Sequence, residues 1–376
     1  MRNLPFFQSV ATLVGTIIGA GILGLPYVFA QAGFWTGFLV LILVVLAMIA
    51  VKLMIGEVVL RTQAQHQISG YIGLYLGEKW KIFSLLISIT IYGALLAYFI
   101  GVGEALAAVF GGQPLMYSSI FYLIAAFLIW KGISLIKNAE FILAIFVFII
   151  FCLLIVFSQS HMNFANLSGF DFNKILVPFG VILFACSGTL AVPVMRQILK
   201  YREYLLKRAI LIGILFPAVI YGFFALVVIA VTGTTTTEIA TIGLGRKIGP
   251  LILIIGNLFA VFTMSTSFLS GGLALREIFR LDFNFKKYWS CLLVVAGPLF
   301  LYLLGWRDFI EIIGTIGAVG FSLEGLVYII TYWRARRLGN RFPEYALKKR
   351  TAIMASVYLI LVFIIGLVYT INTFKY

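Results

Sequence analysis

Charged residues are scarce in this chain: Asp, Glu, Lys and Arg make up only 11% of its 376 residues, whereas 62% are hydrophobic. A typical soluble domain carries about 25% charged residues. With so few charges, a chain of this length cannot cover a soluble surface. The composition therefore excludes an ordinary soluble protein and predicts one whose surface mostly faces lipid.

Cysteine, histidine and aspartate are also rare. The three cysteines all fall within apolar segments, and both histidines, His66 and His161, lie between such segments. We therefore expect neither a disulfide framework nor a metal centre. The few aspartates stand at the ends of apolar segments, so the Asp-rich magnesium motifs of a membrane-embedded isoprenoid transferase are missing. We predict no catalytic residue and no enzymatic activity.

Apolar segments recur from end to end, each long enough to cross a hydrocarbon layer roughly 30 Å thick. Backbone groups in that layer must pair within the segment, which a helix achieves by itself. The alternating pattern of a membrane β-barrel is missing. The sequence predicts an all-α membrane protein with eleven transmembrane spans: 7–31, 34–60, 82–110, 116–134, 138–158, 173–199, 206–232, 249–275, 286–304, 308–333 and 351–373.

The net charge of +15 is unevenly distributed. If the N-terminus is cytoplasmic, 22 of the 28 Lys and Arg residues fall in cytoplasmic segments and five in outer ones. This asymmetry follows the positive-inside rule and predicts a multi-pass protein of the plasma (cell inner) membrane with an extracytoplasmic C-terminus. The basic residues are expected to face anionic lipid headgroups on the cytoplasmic side, not nucleic acid.

The spans fall into two groups of five. Corresponding spans in the two groups start 166 to 172 residues apart. Since five is odd, the second group must enter the membrane from the opposite side, which is an inverted repeat. We expect a single transporter domain over 1–376, with one repeat over 7–158, the other over 173–333, and an extra helix over 351–373.

Glycine-rich interruptions occur in the first and sixth spans. The first span contains Gly15–Gly21, and the sixth contains Ser187-Gly188-Thr189. Glycine disfavours a helix by roughly 1 kcal/mol relative to alanine. In transporters, broken helices bind substrate and cations through their freed backbone groups. Close helix packing through small residues is the alternative explanation.

The same segments resemble the amino acid/auxin permease group of the APC superfamily, nearest to the prokaryotic aromatic amino acid permeases. Residues 15–27 read GTIIGAGILGLPY, which is similar to the first-span signature of that group. Further matches lie at 92–98, 184–193 and 259–269. The resemblance implies the LeuT fold, with broken first and sixth spans, and sodium- or proton-driven amino acid symport.

The resemblance also implies a substrate site formed by both interruptions and two aromatic residues: Gly19, Ala20, Gly21, Tyr98, Phe184, Ser187, Gly188 and Thr189. Backbone groups of the first-span residues would meet the substrate carboxylate. The sixth-span residues would face its amino group and side chain. The tyrosine would bond to or cover the ligand, and the phenylalanine would close the pocket from outside.

The coupling ion is left open by the sequence. Relatives ligate sodium with adjacent hydroxyls of span eight and first-span carbonyls, which implies five candidate ligands: Thr16, Gly19, Ser265, Thr266 and Ser267. Bonding of such hydroxyls back to their own helix is the simpler alternative. No other cofactor is expected.

Proton coupling would need a titratable group at membrane depth, and the candidates are Lys52, Glu104 and Glu324. Lys52 and Glu324 lie at similar distances from the cytoplasmic ends of their spans, so the two could pair. Alternatively, Lys52 extends its ammonium to the membrane interface.

Taken from the residues and the resemblance, the expected function is symport of neutral amino acids, with aromatic ones among the candidates, by alternating access. An amino-acid-binding receptor of the same fold, without turnover, is the alternative.

Overall fold

The computed structural model describes residues 4–77, 80, 82–131, 149–281 and 283–373. No β-strand occurs among them. The α-helices are α1 (Leu4–Ile17), α2 (Gly21–Ala32), α3 (Phe34–Leu60), α4 (Ile68–Leu76), α5 (Ile82–Phe110), α6 (Pro114–Lys131), α7 (Ile149–His161), α8 (Phe179–Ala185), α9 (Ala191–Ile198), α10 (Leu206–Thr232), α11 (Ala240–Ile248), α12 (Pro250–Leu281), α13 (Lys287–Leu303), α14 (Phe309–Thr315), α15 (Ser322–Leu338) and α16 (Lys349–Thr373). A π-helical segment, Ile316–Phe321, joins α14 to α15. The last turn of α7, Gln159–His161, is a 3-10 turn, and further short 3-10 turns occur at Phe164–Leu167, Phe172–Lys174, Glu203–Leu205 and Gly233–Thr235.

Seven helical segments in the described part of the chain are long and apolar enough to cross a membrane, and the bent pair α1–α2 makes an eighth. Helices α7 and α13 are shorter apolar helices. Three helices, α3, α5 and α10, have the same bounds as the predicted spans. Residues 132–148, with the predicted end of span four and start of span five, lie outside the described residues. The chain is a multi-pass helical membrane protein.

Large apolar side chains are exposed along the outer helices. On α16 the exposed positions include Met354, Leu361 and Val368, and on α6 they include Leu123 and Ile124. Apolar patches of this extent are rare on soluble monomers. They are expected where helices face lipid tails, because the tails are as apolar as the side chains.

Two helix pairs are interrupted rather than continuous. Helices α1 and α2 are separated by residues 18–20 and bent by 53°. Helices α8 and α9 are separated by residues 186–190. The α1–α2 break lies within the glycine-rich segment 15–21, and the α8–α9 break extends one residue beyond 187–189 on each side. Both breaks lie in the core of the helix bundle, where Ala20 and Cys186 are buried.

The far end of α9 is anchored to α3 by a buried arginine. One guanidinium nitrogen of Arg196 donates to the Val59 carbonyl at 2.7 Å, and its Nε pairs with Glu203 at 3.0 Å. Glu203 also pairs with Arg341, which lies between α15 and α16. A charge that is paired and hydrogen-bonded in this way can be buried without a large penalty.

Candidate functional site

A cavity of about 930 Å³ lies beside the α8–α9 break. Its inner lining includes Tyr98, Ser187, Thr189 and Ser267. From there the lining continues to the beginning of α1, where Leu4 is exposed, and to the ends of α9 and α12. The cavity therefore connects the middle of the bundle with one end of the molecule.

The α1–α2 break brings the start of α2 against the end of α8. A Cβ atom at Gly21 would overlap the backbone of Ala185, so only glycine allows this approach. No side chain caps the first turn of α2. The positive end of this helix dipole, with backbone N–H groups at its start, therefore lies at the break.

The α8–α9 break depends on a glycine with unusual backbone geometry. Gly188 has φ of +105°, which L side chains rarely adopt. The turn at Gly188 exposes the neighbouring Ser187 and Thr189 to the cavity. Helix α9 then begins at Ala191, again without a side-chain cap. Both helices that follow a break thus begin with uncapped N-termini near the same region.

The carbonyl ends of the broken helices are held by two donors from other helices. The Tyr221 hydroxyl on α10 lies 2.8 Å from the Ile17 carbonyl and 3.0 Å from the Ala185 carbonyl, the last residues of α1 and α8. Lys52 Nζ on α3 donates to the Cys186 carbonyl at 2.8 Å. These donors satisfy backbone acceptors that the breaks leave without helical partners.

Two hydroxyls cover the α1–α2 break on the cavity side. A Cβ atom at Gly19 would lie 2.8 Å from Ser267 Oγ and 3.3 Å from Tyr98 Oη. Ser267 Oγ is buried and makes no hydrogen bond of good geometry within the described residues, although the Tyr98 hydroxyl faces it. A buried hydroxyl without a firm partner indicates a position where a ligand would supply one.

Comparison with known proteins agrees with this architecture. The family model of the tryptophan/tyrosine permease family matches residues 3–371. The chain belongs to this family. It is also 22% identical over 335 residues to Glutamine transporter 2 of Aliivibrio fischeri. This alignment covers 84% of this chain and 86% of the relative.

Solved structures show the same fold at low sequence identity. MhsT in complex with L-phenylalanine superposes with a TM-score of 0.72 at 14% identity, covering 96% of this chain and 98% of MhsT. The Eremococcus coleocola manganese transporter in complex with an aromatic bis-isothiourea substituted compound gives a TM-score of 0.71 at 14% identity, covering 100% of this chain and 88% of that transporter. The resemblance found in the sequence is thus confirmed: the permease is a transmembrane amino acid transporter with the LeuT fold.

The predicted substrate residues of the permease divide into two sets. Tyr98, Ser187, Gly188 and Thr189 line the cavity. The remaining four are described residues that lie outside that lining: Gly19, Ala20, Gly21 and Phe184. The first three are buried outside the cavity lining, Gly19 and Ala20 in the α1–α2 break and Gly21 at the start of α2, and Ser267 and Tyr98 cover Gly19.

Phe184 is buried beside the cavity rather than in its wall. Its ring lies 6.0 Å from the ring of Phe321, centroid to centroid, and Phe321 does line the cavity. Near this contact, a Cβ atom at Gly317 would overlap the backbone of Gly180, and one at Gly180 would overlap the backbone of Gly314. Helix α8 therefore lies in close backbone contact with the end of α14 and the π-helical segment.

The predicted sodium ligands are also divided. Thr16 and Ser267 line the cavity. The Thr266 hydroxyl instead lies within 3.1 Å of the Phe262 and Thr263 carbonyls of its own helix. Ser265 is half-buried and, like Thr266, is outside the cavity lining of the described residues.

The Lys52–Glu324 pair considered from the sequence does not form. Lys52 is fully buried and bonds to the Cys186 carbonyl, so it does not reach the membrane interface either. Glu324 lines the cavity and accepts a hydrogen bond from the Tyr328 hydroxyl at 2.8 Å. The two side chains are separated because the helix faces that carry them point to different neighbours. The distance of each residue from the end of its span, which the sequence gives, does not specify these faces.

Glu104 lies away from the cavity near the end of α5, close to Glu238 and Asp308. Tyr221 is not among the residues expected from the sequence, although a signal existed: a buried tyrosine hydroxyl in an apolar segment usually needs a hydrogen-bond partner.

Proposed function

We propose that this permease is a secondary active transporter, in which a cation gradient (Na⁺ or H⁺) drives symport of neutral amino acids by alternating access. Aromatic amino acids are among the candidate substrates. One observation carries the proposal: two broken helices meet at a cavity lined by Tyr98, Ser187 and Ser267. Uncapped helix N-termini suit a carboxylate, and hydroxyls suit an amino group or a cation.

The fuller architecture belongs to the same proposal. Eleven spans would comprise a single domain, with inverted repeats over 7–158 and 173–333 and an extra span over 351–373. Helices α1–α2 and α8–α9 would be the broken first and sixth spans. The 53° bend between α1 and α2 and the non-helical residues 186–190 support this assignment.

The orientation proposed from the charges assigns the side of the membrane to which the cavity extends. With the N-terminus in the cytoplasm and the C-terminus outside the plasma membrane, the cavity extends from the breaks to the cytoplasmic end of α1. The structure would then correspond to an inward-facing state, from which substrate leaves the site. Anionic lipid headgroups would contact the basic cytoplasmic segments.

Within the site, backbone groups of Gly19, Ala20 and Gly21 would receive the substrate carboxylate. Ser187, Gly188 and Thr189 would face the amino group and side chain, with Tyr98 and Phe184 enclosing the ligand. The named ligands of similar proteins, phenylalanine for MhsT and glutamine for the Aliivibrio fischeri transporter, support neutral amino acids as the substrate class.

Two coupling arrangements follow from the residues. Sodium would bind hydroxyls of Ser265 and Ser267 with carbonyls of Thr16 and Gly19, since a hard cation prefers oxygen ligands. The third sequence candidate, Thr266, would contribute least, because its hydroxyl bonds to carbonyls of its own helix. The buried Ser267 hydroxyl beside Gly19, which makes no hydrogen bond of good geometry within the described residues, supports this arrangement most directly. Protons would instead be carried by Lys52, Glu104 or Glu324.

The decisive experiment is transport by the purified permease in liposomes. Uptake of a panel of neutral amino acids would be compared under an imposed sodium gradient and an imposed proton gradient at equal membrane potential. Accumulation against a concentration gradient is expected under one of them. Saturable binding without any uptake would contradict the proposal and favour the receptor of the same fold.

A further inference from the structure

Lys52 is a lone charged group in the interior of the helix bundle. It lies in α3 and its side chain has 0% exposure. Within the described part of the chain no carboxylate pairs with its ammonium, and its hydrogen-bond partner is the Cys186 carbonyl at 2.8 Å. A buried charge without a counter-ion is costly and is a functional candidate by default.

The position of Lys52 explains how the protein tolerates this charge. The C-terminal ends of α1 and α8 meet here, and each helix end carries partial negative charge from carbonyls without helical partners. Tyr221 serves the carbonyls of Ile17 and Ala185, while Lys52 serves that of Cys186. The ammonium thus occupies a place where the helix dipoles favour a cation.

Few other titratable groups surround this position. The titratable and charged groups in the central parts of the elements packed against α3 are Tyr27 on α2, Cys186 on the α8–α9 connection, Arg196 on α9, Tyr221 on α10, Glu324, Tyr328 and Tyr332 on α15, and Tyr358 on α16. Of these, only Cys186 interacts with Lys52. Glu57, further along α3, is held by Arg61 and Arg336.

The acceptor of Lys52 adjoins the substrate cavity. Cys186 is followed directly by Ser187, Gly188 and Thr189, which line the cavity. On α3, Val51 also lines it, whereas Lys52 itself is outside the lining. On both α3 and the α8–α9 connection, the adjacent residue in the chain thus lines the cavity, so Lys52 and its acceptor belong to segments that form the cavity wall.

Building on the symport function proposed above, we propose that Lys52 carries the coupling proton and acts on substrate binding through the Cys186 carbonyl. The charged ammonium holds this carbonyl and thereby fixes Ser187, Gly188 and Thr189 around the substrate. In the inward-facing state the ammonium gives its proton to water in the cavity; in the outward-facing state the amine takes one from outside. One N–H bond breaks and one forms in each cycle.

Thermodynamic linkage between proton binding and substrate binding allows the proposal to be tested by binding measurements, without a transport assay. If the ammonium favours substrate binding, substrate must equally favour the ammonium. Binding then takes up protons from solution over the pH range in which Lys52 titrates, and substrate affinity falls as pH rises through that range. We expect a loss of about 10-fold, within the usual range of such couplings.

The experiment is calorimetric binding to the purified permease between pH 6 and pH 9, in buffers with different heats of ionisation. The probes are L-tryptophan, L-tyrosine, L-phenylalanine and L-glutamine. The wild-type protein is expected to take up protons on binding. Lys52→Met is expected to take up none and to bind with an affinity independent of pH. Lys174→Met, at an exposed lysine paired with Asp171 outside the bundle, is the control expected to match the wild type.

Two further variants distinguish the effect of the positive charge from the effects of proton release and of reduced stability. Lys52→Arg keeps a permanent charge, so its affinity should not depend on pH. Lys52→Gln keeps a donor for the Cys186 carbonyl without the charge, and should also lose proton uptake. Lys52→Met removes a buried charge without a counter-ion, which should stabilise the fold, but leaves the Cys186 carbonyl without its donor, which costs about 1–3 kcal/mol. Melting curves of Lys52→Met and Lys52→Gln are therefore recorded together, because only the second keeps the donor.

Two outcomes would overturn the proposal. One is proton uptake that persists in Lys52→Met, which would point to Glu324 if Glu324→Gln abolished it; the other is wild-type binding that needs sodium and takes up no protons. In the last case sodium-driven uptake in liposomes would leave the symport function intact. If the wild type neither binds nor transports any probe, the symport function itself fails, together with this inference.

Discussion

The Tyr221 hydroxyl lies 2.8 Å from the carbonyl oxygen of Ile17, the last residue of α1. The same hydroxyl lies 3.0 Å from the carbonyl of Ala185, the last residue of α8. A phenol has one proton to donate, so the two carbonyls share it or compete for it. Tyr221 therefore connects both helix breaks through a single group on α10.

Removing this hydroxyl should weaken the site. In Tyr221→Phe, two buried carbonyls lose their donor, and each unsatisfied group costs about 1–3 kcal/mol. We expect a lower melting temperature and roughly 10-fold weaker substrate binding, which corresponds to about 1.4 kcal/mol. Tyr92→Phe is the matched control, because its hydroxyl donates to the Leu293 carbonyl away from the breaks. Equal loss of binding in both variants would contradict a specific role for Tyr221.

The close contact at Gly19 gives a second prediction. A methyl group there would lie 2.8 Å from Ser267 Oγ and 3.3 Å from Tyr98 Oη, so both hydroxyls would have to move. Gly19→Ala should therefore reduce substrate binding more than 10-fold. Gly73→Ala on α4 meets no atom within 4 Å and should be neutral or stabilising by about 0.4–1 kcal/mol. Binding isotherms and melting curves of both variants test the difference.

Adjacent hydroxyls on α12 should behave differently. Ser267 faces the cavity without a firm partner, whereas Thr266 bonds within its own helix. If sodium drives transport, Ser267→Ala should lose most sodium-dependent uptake and Thr266→Ala should retain most of it. Uptake at graded sodium concentrations measures the effect. Unchanged sodium dependence in Ser267→Ala would exclude this hydroxyl as a ligand.

Glu238, between α10 and α11, should make stability depend on pH. Burial raises the pKa of its carboxyl group, and the negative charge of nearby Asp308 raises it further. The folded protein then binds this proton more tightly than the unfolded chain, so its contribution to stability is present at acid pH. That contribution is lost as pH rises from about 4.5, the ordinary value, through the raised pKa.

Glu238→Gln should accordingly raise the melting temperature at pH 7.5 and flatten its dependence on pH. Glu311→Gln, at an exposed position in the first turn of α14, serves as the control. Melting curves from pH 4.5 to pH 8 would test this. A steeper pH dependence in Glu238→Gln would contradict the assignment.

Much of this architecture could be predicted from the sequence. Helices α3, α5 and α10 begin and end where the apolar segments do, because lipid requires a continuous hydrophobic surface of set length. The breaks occur near the predicted glycines, because glycine is poorly suited to a helix interior and Gly188 takes a conformation that few other residues allow. The first-span signature identified the family before any contact was known.

The partners of the polar residues could not be predicted. Lys52 was a candidate for pairing with Glu324, yet it bonds to a carbonyl that becomes available only because α8 ends at Ala185. Thr266 and Ser267 are neighbours in the sequence but face in different directions. Each outcome depends on the rotation of a helix about its axis. The length of an apolar segment in the sequence does not specify this rotation.

The sequence by itself determined the helical class, the membrane setting, the sites of interruption and the family, because these depend on local composition and short-range backbone preference. Only the tertiary structure decided that Tyr221 and Lys52 hold the carbonyls of the two breaks, and that Ser267 rather than Thr266 faces the cavity. Contacts between helices distant in the sequence arise from packing, and packing is decided jointly by all the helices that meet there.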